Sequence, residues 1–344
     1  MRAIIKADPG EGVEFGDVPR PVPGPRDVLV RVKKTGICGT DRHIYEWDQW
    51  AAGRIKPPLV IGHEFAGVVE EVGSAVRSVQ PGDRVSGEGH IGCGHCYCCR
   101  TGQPHICEHL HILGVDVQGA FAEYVRLPES NIWEIDPDIC DDQACLFDPF
   151  GNAMQTVMAQ PISGRQVLVV GCGPIGLMAV GILRAGGADR IIAVDPKPSR
   201  RELAKAMGAD VVLERDDESA VKQETDHGGV DVMLEMSGNP GAITEGFRSV
   251  RHGGEVALLG IPPGDVTLPW AEQIIFKGLT IRGINGRKIF ETWYQCESFL
   301  RRHPKLIEPL ITHRLRFDQF EDGVRAMQSG AACKVVLDWQ DANT

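Results

Sequence analysis

Apolar and polar positions change their rhythm near residue 165. Up to about residue 150 the chain carries short β-branched runs, "DVLVRVKKTG", "LVIGHEFAGVVEEVG" and "AFAEYVRLP", separated by glycine and proline. Such punctuation predicts an all-β, barrel-like arrangement for residues 1–150. Beyond 165 the apolar runs become continuous, as in "QVLVVG", "RIIAVD", "DVVLE", "VDVMLEMSG", "GEVALLG" and "LTIRGIN". Strands buried on both faces read this way, and the intervening "PSRRELAKAMGAD" and "ITEGFRSVRHG" have helical spacing. The alternation over 151–297 predicts a parallel sheet covered on both faces. In "PSRRELAKAMGAD", Ser199 can cap, Leu203, Ala206 and Met207 share a face, and Gly208 stops the helix. Residues 298–344, with helical "FLRRHP" and strand-like "KVVLDW", are expected to pack back onto the first domain.

Length and composition narrow the class. A chain of 344 residues favours two domains of ordinary size. With 42% hydrophobic and 24% charged residues it belongs with globular proteins. The 36 basic and 47 acidic residues give a formal charge of −11, and no basic run grips phosphate, so nucleic acid is not expected as a partner. The N-terminus lacks the apolar segment of a secretory signal, which predicts a cytoplasmic location. "VLVVGCGPIGLMAVGIL" nearly has the length of a membrane span, but its four glycines and one proline divide it into strand, turn and helix. No membrane association is expected. Eleven cysteines without an export signal point to reduced thiols or bound metal. Those at 140, 145, 172, 296 and 333 lack ligand spacing and read as buried thiols.

The same stretch holds Gly171, Gly173 and Gly176 as GxGxxG after a strand and opening a helix. The first glycine permits the turn, the second admits a pyrophosphate to the backbone, and the third lets helix and strand pack closely. The helix N-terminus then presents unpaired N–H groups to phosphate. Asp195 ends the next strand, about twenty residues on, where a carboxylate accepts from the adenosine ribose hydroxyls and repels a 2′-phosphate. NAD is favoured over NADP. Lys197 and Arg200 lie close by and argue the opposite case, unless Arg200 holds the ribose edge.

Two groups of metal-ligating types stand out. Cys93, Cys96, Cys99 and Cys107 form CxxCxxCx7C, four thiolates able to close a tetrahedral structural zinc site. The last cysteine does not fit the bacterial iron–sulfur run, and Cys98 adjoins Cys99 as a competitor. The second group is dispersed: Cys38, His63, Glu64 and Asp148 supply a thiolate, an imidazole and two carboxylates, which suits a zinc with an open position. Adjacent side chains in a strand face opposite ways. His63 and Glu64 therefore reach one ion only if the backbone turns beside Gly62; otherwise Asp148 is the better third ligand.

Together GHExxGxxxxxGxxV, the cysteine loop, "PGDRV" and "GCGPIG" resemble the zinc-dependent medium-chain dehydrogenase/reductase family across essentially the whole chain. "CGTDRHIYEWDQWA", "SGEGHIGCGHC", "FDPFGNA", "LLGIPP" and "FETWY" are similar to its threonine-oxidising branch. The resemblance implies an α/β protein, with a GroES-like β-barrel catalytic domain and a Rossmann doubly wound parallel sheet, assembled as a homotetramer. It implies NAD-dependent oxidation of the L-threonine 3-hydroxyl to 2-amino-3-oxobutanoate, with one catalytic and one structural zinc per subunit. On the matching positions it assigns the catalytic zinc to Cys38, His63 and Glu64, a proton relay to Thr40 and His43, and a supporting role to Asp148. It assigns cofactor contacts to Ile175, Asp195, Arg200, Leu259, Gly260, Ile261, Ile284 and Asn285. Cys98, and Asn285 where an aromatic residue is expected, depart from the pattern.

Zinc as a Lewis acid would make the alcohol acidic enough to oxidise, much as it lowers bound water from about 15.7 to about 7. Thr40 and His43, three apart, can share a helical face and pass the proton outward. Glu46 and Asp48 are candidates for the substrate ammonium, against a plainer reading as solvated loop acids. The competing readings are a polyol or 2,3-diol dehydrogenase of the same family, a non-catalytic NAD-binding protein and a zinc-ribbon module.

Overall fold

The computed structural model describes residues 1–340. The chain divides into two units, one of Met1–Asp148, Lys288–Trp293 and the chain from Ile311, the other of Pro149–Arg287 and Tyr294–Leu310. Residues 298–310 thus lie in the second unit, and the long return to the first begins at Ile311, not at 298. A shorter return precedes it. Trp293, 1% exposed, packs against Trp133, Phe147 and Phe290, and its indole N–H donates to Glu88 at 2.9 Å, which binds this segment to the first unit.

The first unit is built on one mixed sheet and two small antiparallel ones. The mixed sheet has the order Ile132–Glu134, Arg84–Gly87, Glu64–Val72, Asp27–Ile37, Lys334–Asp338, Ile311–Arg316, with Tyr124–Pro128 also paired to Asp27–Ile37. Alternation in "DVLVRVKKTGI" puts Val28, Val30 and Val32 into a core with Phe65, Val85, Phe121 and Trp339. Each such side chain contributes about 1.5–3 kcal/mol on burial. Two features of this sheet matter for the site. Asp27–Ile37 delivers Cys38 at its end, and the C-terminal strand lies beside it, with Val336 opposite Gly36.

The second unit holds a six-stranded sheet in the order Val211–Leu213, Arg190–Val194, Gln166–Val170, Val230–Glu235, Val250–Leu258, Thr280–Gly283. Every pairing is parallel. The order reverses at Gln166–Val170, the doubly wound arrangement that leaves a crevice at the carboxyl ends of the strands. Val167 to Val170 are at most 1% exposed, which explains the unbroken apolar run.

The helix Pro198–Ala206 differs in detail from its expected form. Pro198 takes the first helical position after Lys197, so Ser199 does not cap. Ala204 faces inward with Met207, whereas Ala206 is exposed and Leu203 half-buried. Among the described residues no helix is long and apolar enough to cross a membrane.

Candidate active site

Cys38 stands between a strand and the helix Gly39–Glu46, as that helix's N-cap. Asp41, at the third helical position, accepts from the Cys38 backbone N–H at 2.8 Å and closes a capping box. Its other oxygen points to His63, 3.9 Å from Nδ1. Asp41 Oδ1 and His63 Nδ1 are buried and have no hydrogen-bond partner among the described residues. Gly62 precedes His63 with φ +90°, and a Cβ there would stand 2.2 Å from the Phe121 ring. This glycine turn places His63 ahead of the strand Glu64–Val72, so strand alternation does not separate the two side chains.

Ligand atoms of Cys38, His63 and Glu64 all lie within 4.8 Å of one another. Burial alone would push His63 down; the Asp41 carboxylate, then the Cys38 thiolate, more than offset it and raise its pKa to about 10. The acidic groups around His63 thus favour a positive charge at this place. Together with the orphaned polar atoms and the thiolate–imidazole–carboxylate donor set, this fits zinc. Asp148 is outside the trio but adjacent, since a Cβ on Gly89 would sit 3.6 Å from both Asp148 Oδ2 and His63 Cβ.

Glu64 is held from the far end of the chain. Lys334 Nζ donates to Glu64 Oε1 at 2.7 Å and to the Ile37 carbonyl at 2.9 Å, and both side chains are buried. Burial would lower the Lys334 pKa, but Glu64, followed by Cys38, raises it overall. Gly36 must be glycine here, because a Cβ would lie 2.1 Å from Glu64 Oε2.

Thr40 Oγ1 is 3.9 Å from Cys38 Sγ. His43, on the same helix and half-exposed, binds Asp48 Oδ2 through Nδ1 at 2.6 Å and meets the edge of Trp50. Asp48 also accepts from the Ala51 backbone N–H at 2.9 Å, and these two bonds hold its carboxyl below the usual range. Glu46 pairs with Arg42 at 3.1 Å and accepts from Gln328. The two acids considered for a substrate ammonium thus already have partners.

Cys93, Cys96, Cys99 and Cys107 form the second cluster, again within 4.8 Å. Backbone N–H groups of Cys93, Cys96, Cys99 and His109 donate to its sulfurs at 3.2–3.5 Å. Donation from Cys99 and Glu108 lowers Cys96 to about 6, while burial and competition with the neighbouring sulfurs push Cys99 up to about 12. Four thiols that cannot all ionise alone are suited to a divalent cation. Cys98 lies outside the cluster, its thiol raised by burial.

In the second unit the three loop glycines occupy different environments. Gly171 has φ +94°, and a Cβ there would stand 2.8 Å from Ser237; one on Gly176 would stand 2.0 Å from the Gly171 carbonyl. Around Gly173 nothing lies within 4 Å of a Cβ position, which leaves space for a phosphate beside the uncapped helix Pro174–Ala185 that Ile175 helps open. Asp195 accepts from the backbone N–H of Cys172 at 2.9 Å and of Lys197 at 2.8 Å, tying this loop to the next strand. Arg200 is buried close enough to act on the Cys172 thiol. Leu259 and Gly260 donate to the Glu235 carbonyl, Ile261 is 90% exposed, and the Ile284 N–H donates to Leu258, with Asn285 next along.

An alcohol dehydrogenase GroES-like domain model matches residues 24–137, and a zinc-binding dehydrogenase model matches residues 174–302. The chain belongs to the zinc-dependent medium-chain dehydrogenase family. Relatives include the L-threonine 3-dehydrogenases of Shewanella loihica, 46% identical over 98% of this chain and 100% of that one, and of Burkholderia mallei, 47% identical over 99% and 100%. Similar solved structures include alcohol dehydrogenase TADH from Thermus sp. ATN1, with TM-score 0.90, 32% identity and coverage of 98% and 99%. Another is 2R,3R-butanediol dehydrogenase from Bacillus subtilis, with TM-score 0.88, 28% identity and the same coverage. For a medium-chain dehydrogenase the motif reading overlooked two polar residues, Asp41 and Lys334. "CGTD" carries the capping-box signal that points to Asp41. Lys334 is 270 residues from Glu64 and has no local signal.

Proposed function

We propose that the protein is a zinc-dependent NAD oxidoreductase that oxidises the 3-hydroxyl of L-threonine to 2-amino-3-oxobutanoate. The observation that carries this is the Cys38, His63 and Glu64 trio, its imidazole and carboxylate buried, in a chain that matches L-threonine 3-dehydrogenases over nearly its full length. Zinc held by the trio supplies the Lewis acidity that stabilises a deprotonated alcohol. Asp41 orients His63, and Lys334 positions Glu64. Thr40, beside Cys38, takes the hydroxyl proton toward His43. Asp48 accepts from His43 Nδ1 and leaves Nε2 to receive it. Asp148 adds a fixed negative charge near His63. In the second unit, Gly173 and the helix N-terminus that carries Ile175 and Gly176 bind the pyrophosphate of NAD. Asp195, with Arg200 beside it, takes the adenosine ribose and disfavours a 2′-phosphate. Leu259, Gly260, Ile261, Ile284 and Asn285 line the path of the other half.

The four-cysteine cluster serves as a closed structural zinc site. Assembly as a homotetramer is supported by the open outer edge of the Thr280–Gly283 strand and by Trp270, Ile275 and Phe276, 63%, 60% and 71% exposed. A cytoplasmic location accords with eleven cysteines and no disulfide among the described residues.

The test is NADH formation by zinc-replete protein with L-threonine, (2R,3R)-butanediol and sorbitol. Threonine should give the highest kcat/KM. A higher value with the diol would move the activity to the diol branch, and no NADH from any alcohol would end the enzymatic reading.

A further inference from the structure

Glu235 ends the strand Val230–Glu235 and is 0% exposed. Its Oε1 accepts three hydrogen bonds, from the backbone N–H of Ser237 at 2.8 Å, the Ser237 hydroxyl at 2.5 Å and the backbone N–H of Gly238 at 3.0 Å. Its Oε2 is equally buried and has no hydrogen-bond partner among the described residues. The main-chain carbonyl of Glu235 accepts from Leu259 and Gly260 at 3.0 and 3.1 Å. One residue therefore ties together the loops that follow two neighbouring strands. The packing leaves no slack, since a Cβ on Gly260 would stand 2.4 Å from Oε2 and one on Gly171 would stand 2.8 Å from Ser237.

Strand order says which part of a dinucleotide meets this charge. The glycine loop follows the central strand Gln166–Val170, and Asp195 follows the neighbour on one side, Arg190–Val194. A dinucleotide laid across the switch point with its adenosine at Asp195 places its nicotinamide half over the other neighbour, the strand that Glu235 ends. Oxidised nicotinamide carries a positive charge and the reduced ring carries none. A buried carboxylate with one oxygen unspent acts through a medium that screens it weakly.

Resting on the reading of this unit as an NAD site, we propose that Glu235 is a specificity-determining residue for the redox state of the cofactor. Its negative charge stabilises bound NAD+ relative to NADH and so favours occupancy of the site by the oxidised cofactor and release of the reduced one. The test is the ratio of the two dissociation constants on zinc-replete protein, with NAD+ followed by calorimetry and NADH by fluorescence. In Glu235→Gln, NAD+ binding should weaken by about three- to tenfold, the scale of one charge acting through a partly polar interior, with NADH binding unchanged. Glu235→Asp keeps the charge and should keep the wild-type ratio. Equal weakening of both forms, or an unchanged ratio in the glutamine variant, overturns the proposal and leaves Glu235 a purely structural role. If the glutamine variant does not fold, Glu235→Ser, a second neutral side chain, decides: weaker NAD+ binding with NADH binding unchanged supports the proposal and an unchanged ratio overturns it. Wild-type protein that binds neither form would fail the NAD reading itself and this inference with it.

Discussion

Replacing Lys334 with methionine would remove an ammonium while keeping most of the volume of its stem. Lys334 and Glu64 side chains are 3% and 0% exposed, with Nζ 2.5 Å from one carboxylate oxygen and 2.7 Å from the other. Burial already raises the Glu64 carboxyl, and without the lysine it faces Cys38 and Asp148 with His63 as the main cation left to hold its charge. Breaking a buried pair from one side costs about 3–5 kcal/mol. The hydrogen bond to the Ile37 carbonyl adds about 1 kcal/mol. A zinc ion in the trio would replace much of the missing positive charge, so the penalty should fall on the metal-free protein. Linkage then requires the variant to gain zinc affinity by the energy it recovers on loading. Denaturant unfolding of wild type and Lys334→Met, each zinc-loaded and metal-free, closes the cycle, and the four-cysteine contribution cancels because both proteins share it. We expect a loss of about 5 kcal/mol without metal and less than half of that with it. Equal losses in the two states would refute the idea that Lys334 and the metal compete for one carboxylate.

Three other outcomes follow from individual contacts. Burial, with Glu245 and Asp217 nearby, pushes the Asp216 carboxyl up to about 6 from an ordinary 3.8, so the folded chain binds the extra proton and stability falls as pH rises between those values. The gap is worth about 3 kcal/mol above pH 6, and Asp216→Asn should recover about 2 of it near pH 8 and none near pH 3.5; a gain independent of pH in denaturant unfolding would contradict this. His43→Ala removes a half-exposed ring and should slow turnover on the order of a hundredfold, with zinc content and NAD affinity intact. Undiminished turnover would remove His43 from the relay. Asp195→Ser should narrow the kcat/KM preference for NAD over NADP and weaken both cofactors, because the Cys172 and Lys197 N–H groups lose their acceptor. An unchanged preference would mean that another residue selects the cofactor.

Much of this was legible because local signals and tertiary structure agree. Continuous runs such as "QVLVV" are buried on both faces, and glycines mark the turns at Gly62 and Gly171. The metal clusters were readable because donor chemistry restricts the residue types. Position along the chain was harder to read. The return to the first unit is set by Trp293 and by strand pairing at Lys334–Asp338, contacts between residues distant in sequence. The helix at Pro198 departs from its expected cap because Pro198 preorganises the first turn without help from Ser199. Glu46 and Asp48 looked available in sequence, but their partners Gln328 and His43 appear only after folding.

The central claim is that a cation held by Cys38, His63 and Glu64 drives threonine oxidation, and zinc content measured together with NADH formation for wild type and Cys38→Ser tests it most directly. The serine variant should lose one zinc per chain, keep the ion of the four-cysteine site and its fold, and form NADH from L-threonine more slowly by on the order of a thousandfold. A variant that has lost that zinc yet turns over threonine at the wild-type rate would contradict the account.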